Sequence, residues 1–354
     1  MESIESFDSV RIYCLPVSGA SFEVQLELLK EVYLAKKASK GGILRGYRDY
    51  APDLVFSSSG GNVAAYLALA GDWSPEGIDR SIERVESTMF IKPWIRYLPS
   101  WIMAPFTGSL YRPGYGSENA FTSLFTPRSI QRTEIWTGTF EKASLRAQMF
   151  CNRSAEESSI DVEQAQEFSF LHGTHNPCFL DGDVKAIARV SMASASIPYV
   201  TKCQSIGDRN YADGGVMYAT PFSVMSRMLK PISGYFQLVY FCSFNMEDCT
   251  YHRSAVPISE IQSLINSNVL QDRSTCIDAL STYGDSIYTH YPKLDTATLT
   301  QIFCAIEHCH YVLILYPLGW HKVQLKSFQP CHVRDEMAKC SQQGYGGYLF
   351  MVPS

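Results

Sequence analysis

The stretch DLVFSSSGGNVAAYLALAG, from Asp53 to Gly71, sets three serines and two glycines between an apolar run and a helical one. Asp53-Leu54-Val55-Phe56 is short and apolar and includes Val and Phe, so it reads as a buried strand. From Asn62 onward Val63, Tyr66, Leu67 and Ala70 recur at helical spacing, and Gly71 is a natural stop. A strand that becomes a helix over a few small residues is where α/β hydrolytic enzymes hold an exposed serine. The turn is therefore either a tight connection or the seat of a nucleophile.

The surrounding sequence alternates in the same way. Val10 to Leu15 reads as a strand, PVSGAS as a turn, and Glu23 to Ala38 as a helix with Leu26, Leu29, Val32 and Tyr33 on one face. That order argues for a parallel sheet with right-handed crossovers. Between Gly71 and Arg132 the pattern loosens into Pro-, Gly- and aromatic-rich segments with a few short helices. Glu134–Phe140 and Ala147–Asn152 then read as a strand pair, Val184–Ser194 as a small-residue helix and Tyr235–Phe244 as a core strand. A helical stretch near Ile258–Leu270 and a strand near Val312–Tyr316 follow. With no internal repeat, low-complexity tract or linker, residues 1–354 are expected to form a single α/β domain with a decorated periphery.

Composition narrows the function classes. The formal net charge is -5 and no basic stripe is present, which gives no reason to expect a nucleic-acid partner. The 11 cysteines form no CxxC pair and fit reduced, mostly buried thiols in the cytoplasm. The opening MESIESFDSV has neither the basic nor the apolar region of a secretory signal, so the NRS at Asn152 is not expected to carry a glycan. No run reaches the roughly 18 consecutive apolar residues of a spanning helix. The nearest, Met89 to Phe106, is broken by Lys92, Arg96 and three prolines. Its aromatic and basic mixture suits a surface that touches lipid headgroups, with Trp94, Tyr97 and Trp101 as wedges, or else a buried irregular loop with its aromatics turned inward.

A second motif bears on the opening turn. RNYADGGVMYATP, Arg209 to Pro221, places an aspartate and two glycines after a short extended run. Before it, VKAIARVSMASASIPYV is a helix that ends in small residues and an Ile-Pro turn. Asp-Gly alone is a common turn. Taken together, the segments resemble the patatin-like phospholipase family, whose serine and aspartate form a dyad without histidine. Its G-x-S-x-G elbow aligns with Ser57-Ser58-Ser59-Gly60-Gly61, its D-G-G motif with Asp213-Gly214-Gly215, and its A-S-x-A-I-P segment is close to Ala193–Pro198. The resemblance covers about residues 10–225; residues 226–354 carry no such motif and are expected to extend the same domain.

The resemblance implies a three-layer α/β fold with a mainly parallel sheet flanked by helices. It also implies hydrolysis of lipid acyl esters, of phospholipase A or lysophospholipase type, through an acyl-enzyme on Ser59 with Asp213 as base. A serine hydroxyl needs such a base within hydrogen-bond reach. Gly60, Gly61, Gly214 and Gly215 would let the two turns approach closely, and no metal or organic cofactor is implied. The expected partner is a lipid or phospholipid, met in the cytoplasm or peripherally at a membrane. Two departures stand out. Ser57 occupies the elbow's first glycine, and the glycine-rich oxyanion loop is replaced by Val17-Ser18-Gly19-Ala20-Ser21-Phe22, in which Gly19 alone survives. Backbone N–H groups of Ser18, Gly19 and Ala20 remain the implied oxyanion donors. The alternative is a weak or inactive protein that keeps the fold to bind lipid or a partner. Rival signals are His172 and His175 as members of a Ser-His-Asp triad, Asp208 as the base, and the metal-ligand types of Glu307 to His310.

Overall fold

The computed structural model describes residues 9–16, 18, 22–44, 46–85, 92–93, 102, 105, 109, 111–112, 117–144, 146–160, 176–198, 200–214, 235–243, 311–317, 337–338, 341–342 and 344–351. The strands are β1 (Ser9–Leu15), β2 (Leu54–Ser58), β3 (Lys92–Pro93), β4 (Tyr111–Arg112), β5 (Glu134–Glu141), β6 (Arg146–Cys151), β7 (Cys178–Phe179), β8 (Gln204–Ile206), β9 (Arg209–Asp213), β10 (Tyr235–Phe241), β11 (Tyr311–Pro317) and β12 (Tyr345–Met351). The helices are α1 (Phe22–Ser39), α2 (Gly60–Ala70), α3 (Pro75–Val85), α4 (Ser117–Leu124), α5 (Pro127–Ile130) and α6 (Val184–Ser194).

Ten of these strands make one mixed sheet in the order β12-β11-β10-β1-β2-β5-β6-β7, with β9 pairing both β5 and β8. The contiguous strands β11, β10, β1, β2 and β5 are all parallel. A parallel sheet needs both faces covered, and the alternation of β1 and β2 meets that need. Tyr13, Leu15 and Val55 join the cluster formed with α1 to α4, while Ile12, Cys14, Leu54 and Phe56 on the other face are equally buried. The result is a mainly parallel α/β sheet flanked by helices. Strands β10 to β12 come from the part of the chain without motifs, yet β10 pairs directly with β1 over six residues.

The loosely patterned region holds an 11-residue helix, α3, that the sequence reading did not delimit. Its signals were a proline at the first helical position and Ile78, Ser81, Ile82 and Val85 on one buried face. The helix expected near Ile258–Leu270 lies outside the described residues. Among the described residues no helix is long and apolar enough to cross a membrane.

Candidate active site

Strand β2 ends at Ser58 and α2 begins at Gly60, so Ser59 makes the whole turn with φ 54 and ψ -131. A left-handed φ on a residue with a Cβ costs about 1–3 kcal/mol and persists only where its surroundings enforce it. Here they do. The Ser59 carbonyl accepts the N–H groups of Asn62 at 3.0 Å and Val63 at 3.4 Å, the first bonds of α2. The Ser59 N–H donates to Ser194 Oγ at 2.9 Å. With the backbone held at both ends, the hydroxyl points to β9 and donates to Asp213 Oδ2 at 2.6 Å.

Asp213 is the last residue of β9, which lies antiparallel to β5 with Asp213 opposite Thr139. Its N–H donates to the Ser196 carbonyl at 3.0 Å. Both side chains of the pair are withdrawn from solvent, each residue being 2% exposed. A hydrogen bond this short in such surroundings is stronger than in water.

The tight approaches fall at two glycines. A Cβ on Gly61 would press into the backbone carbonyls of Leu15 and Pro16, so the start of α2 packs directly on the end of β1. A Cβ on Gly214 would lie 2.6 Å from the Gly138 carbonyl oxygen and 2.8 Å from Ser58 Oγ. Gly60 is the first residue of α2, and its N–H is one the helix cannot itself satisfy.

Ser57, at the elbow's first position, sits inside β2 and outside the left-handed region, so its backbone does not require glycine. Its hydroxyl donates to Asn62 Oδ1 at 2.9 Å, and Thr137 Oγ1 donates to the same oxygen at 2.8 Å. The extra side chain is thus absorbed by a buried polar cluster under the turn.

Of the implied oxyanion residues, Ser18 is buried, its Oγ without a hydrogen-bond partner, and Gly19 and Ala20 lie outside the described residues. The loop's root is held by Gln25, whose Nε2 donates to the carbonyls of Pro16 at 3.1 Å and Phe241 at 3.0 Å. Gly215, Trp94, Tyr97, Trp101, His172, His175 and residues 307–310 also lie outside the described residues. Asp208 occupies the exposed turn between β8 and β9, turned away from competing with Asp213: its side chain is 96% exposed. Asn152 of the NRS tripeptide is fully buried and uses its amide to bind Ile135, Ile130 and Thr133 backbone, so no glycan can reach it. Burial pushes the thiols of Cys14 and Cys151 up, which keeps them protonated and inert at neutral pH. Among the described residues no group of three or more His, Cys, Asp or Glu is arranged to hold a metal.

Residues not singled out from the sequence are Ser194, Asn62, Thr137 and Gly138. Ser194 stood within the quoted Ala193–Pro198 segment; the others had no local signal, because their partners are distant in sequence.

Among solved structures, VipD from Legionella pneumophila is similar over 96% of this chain and 68% of its own, at 8% identity and a TM-score of 0.32. No curated protein sequence gives a significant match. The sequence profile of the patatin-like phospholipases matches residues 19–225, which spans the elbow, the Asp213 turn and well over half of the 354 residues. The chain belongs to the patatin-like phospholipase family.

Proposed function

We propose that this protein is a lipid acyl hydrolase, of phospholipase A or lysophospholipase type, working through an acyl-enzyme on Ser59. The observation that carries the reading is the buried 2.6 Å hydrogen bond from Ser59 Oγ to Asp213 Oδ2, held on a strained strand-to-helix turn. As Ser59 Oγ attacks the ester carbonyl carbon, its proton passes to Asp213. The tetrahedral intermediate collapses, the C–O bond to the leaving alcohol breaks, and Asp213 returns the proton to that alcohol. A water then gives its proton to Asp213 as it attacks the acyl-serine, the C–O bond to Ser59 Oγ breaks, and Asp213 returns the proton to that oxygen as the fatty acid leaves. The developing oxyanion would be met by backbone N–H groups of Ser18, Gly19 and Ala20, with the Gly60 N–H at the positive end of α2 as a further donor. The reaction needs no metal or organic cofactor. The substrate would be met in the cytoplasm or at a membrane surface, with Trp94, Tyr97 and Trp101 as the peripheral contact.

The test is fluorophosphonate labelling of the purified protein beside Ser59→Ala and Asp213→Asn. Labelling of wild type is expected, with none in Ser59→Ala and a loss of about 10²–10⁴-fold in rate in Asp213→Asn. A folded wild type that stays unlabelled overturns the reading in favour of a lipid-binding protein. Labelling that survives Asp213→Asn at full rate points to another base.

A further inference from the structure

The two residues of the pair are 154 positions apart and belong to different elements, so something must fix the distance between them. That link is a three-residue segment at the end of α6. Ser194 Oγ accepts the Ser59 N–H at 2.9 Å and donates its own proton to the Gly138 carbonyl at 2.7 Å. Two residues on, the Ser196 carbonyl accepts the Asp213 N–H at 3.0 Å. One short stretch therefore holds the backbone amides of both members of the pair.

The same stretch is tied to the sheet between them. Gly138 on β5 also accepts from Ser58 Oγ at 3.3 Å, and its carbonyl fills the space that a Gly214 side chain would take. Thr139, the next residue, is the register partner of Asp213. Ser194 is fully buried, so bulk solvent does not reach its hydroxyl. Without it the Ser59 amide is a buried orphan donor, and the elbow loses the restraint on its amino side.

We infer that Ser194 is a positioning residue of the Ser59–Asp213 pair: its hydroxyl bridges the nucleophile's amide to β5 and so holds Ser59 Oγ at bonding distance from the aspartate. The inference rests on the reading of Ser59 as nucleophile. A displacement of the order of 1 Å at a reacting atom costs about 10²-fold in rate, and the bridge prevents that displacement. Substrate binding, which does not use the bridge, is untouched.

The experiment is fluorophosphonate inactivation kinetics on wild type, Ser194→Ala and Ser191→Ala, separating the maximal rate from the half-saturating concentration. Ser191 is the control: it lies on the same helix, is buried, and its hydroxyl has no hydrogen-bond partner. Ser194→Ala is expected to lower the maximal rate about 10- to 100-fold with half-saturation within about twofold. Ser191→Ala should stay within about twofold of wild type in both. A wild-type maximal rate in Ser194→Ala overturns the inference, as does an equal slowing in Ser191→Ala, which would make the effect one of helix packing. If Ser194→Ala does not fold, Ser194→Cys, which keeps the volume but accepts hydrogen bonds poorly, is judged by the same two quantities. An unlabelled wild type removes the nucleophile reading itself, a result distinct from any of these.

Discussion

At the amino end of β5, Glu134 and Asn152 are fully buried and their side-chain oxygens and nitrogens are saturated with hydrogen bonds. Glu134 accepts from Trp136 Nε1, Ser158 Oγ and both the N–H and Oγ of Ser159, at 2.7 to 2.8 Å. Asn152 accepts the Ile135 N–H and donates to the Ile130 and Thr133 carbonyls, at 2.6 to 2.9 Å. Toward the carboxyl end of the same strand, opposite Ser58, Gly138 accepts from Ser58 and Ser194 while Ser59 beside it is held at φ 54. Both ends bury polar groups, but at the carboxyl end Asn62 Nδ2 and Ser18 Oγ are left without a partner. Glu134 and Asn152 themselves stand outside the left-handed region, and their saturated bonds contribute stability; at the carboxyl end the left-handed Ser59 costs stability and aims a hydroxyl. Open α/β sheets place their ligand sites at the carboxyl ends of the strands, and Ser59 follows directly on the carboxyl end of β2.

Substitution at Ser59 tests the strained end most severely. Ser59→Ala and Ser59→Gly should both lose at least about 10³-fold in ester hydrolysis. Their stabilities should differ in an unusual direction. Glycine in place of alanine ordinarily destabilises by about 0.5–1 kcal/mol, but here Gly removes the left-handed strain that Ala keeps. Ser59→Gly is therefore expected to have the higher melting temperature of the two. A more stable Ser59→Ala would mean that the turn is relaxed and that the contrast between the two ends of β5 is false.

The amino end should respond in the opposite sense. Asn152→Ala leaves the Ile135 N–H and the Ile130 and Thr133 carbonyls without that partner in a dry site, a loss of about 2–4 kcal/mol. Chemical denaturation reads the loss, and fluorophosphonate labelling per folded molecule should stay within about twofold of wild type. If labelling falls with stability, the two ends are coupled through β5 and cannot be treated as separate devices.

How much of this was legible in the sequence follows the range of the interactions. Helix α6 is Val184–Ser194, as its small-residue pattern predicts, and β1, α1, β2, β5 and β6 lie within two residues of their expected bounds, because each is encoded by local periodicity. The β8–β9 hairpin was missed as a pair: β8 is three residues long, and Gly207 and Asp208 separate it from β9. At the site, Ser59 and Asp213 could be named from motifs. What connects them could not, since the Ser59–Ser194 bond spans 135 positions and the Thr137–Asn62 bond 75. Asn152 was open to misreading for a related reason: a glycosylation tripeptide is defined by three adjacent residues, whereas burial is defined by the fold.

The smallest expected effect comes from Lys36, near the C-terminal end of α1, whose side chain is half-buried. Its Nζ donates to Tyr13 OH at 2.9 Å and lies 5.3 Å from the centre of that ring, and Tyr13 OH in turn donates to the Tyr50 carbonyl. Burial, with help from the Arg11 and Lys40 charges and against that of Asp53, pushes the Lys36 amine down to about 7 from an ordinary 10.5. The unfolded chain thus holds a proton that the folded chain lacks between about pH 7 and pH 10.5, and stability should rise with pH across that window. Below pH 7 the penalty for burying the charge is fully present. Lys36→Met should therefore stabilise by about 1 kcal/mol at pH 6, a modest figure because the residue is only partly buried, and the gain should fade towards pH 10. Tyr13, whose phenol burial pushes well above its usual range, keeps its proton throughout and does not mask the trend. Denaturation midpoints of the two proteins at pH 6, 8 and 9.5 measure it. Converging midpoints, with an unchanged labelling rate, would mark Lys36 as part of the scaffold and not of the site. A gap that does not change with pH would show that the amine stays charged when folded.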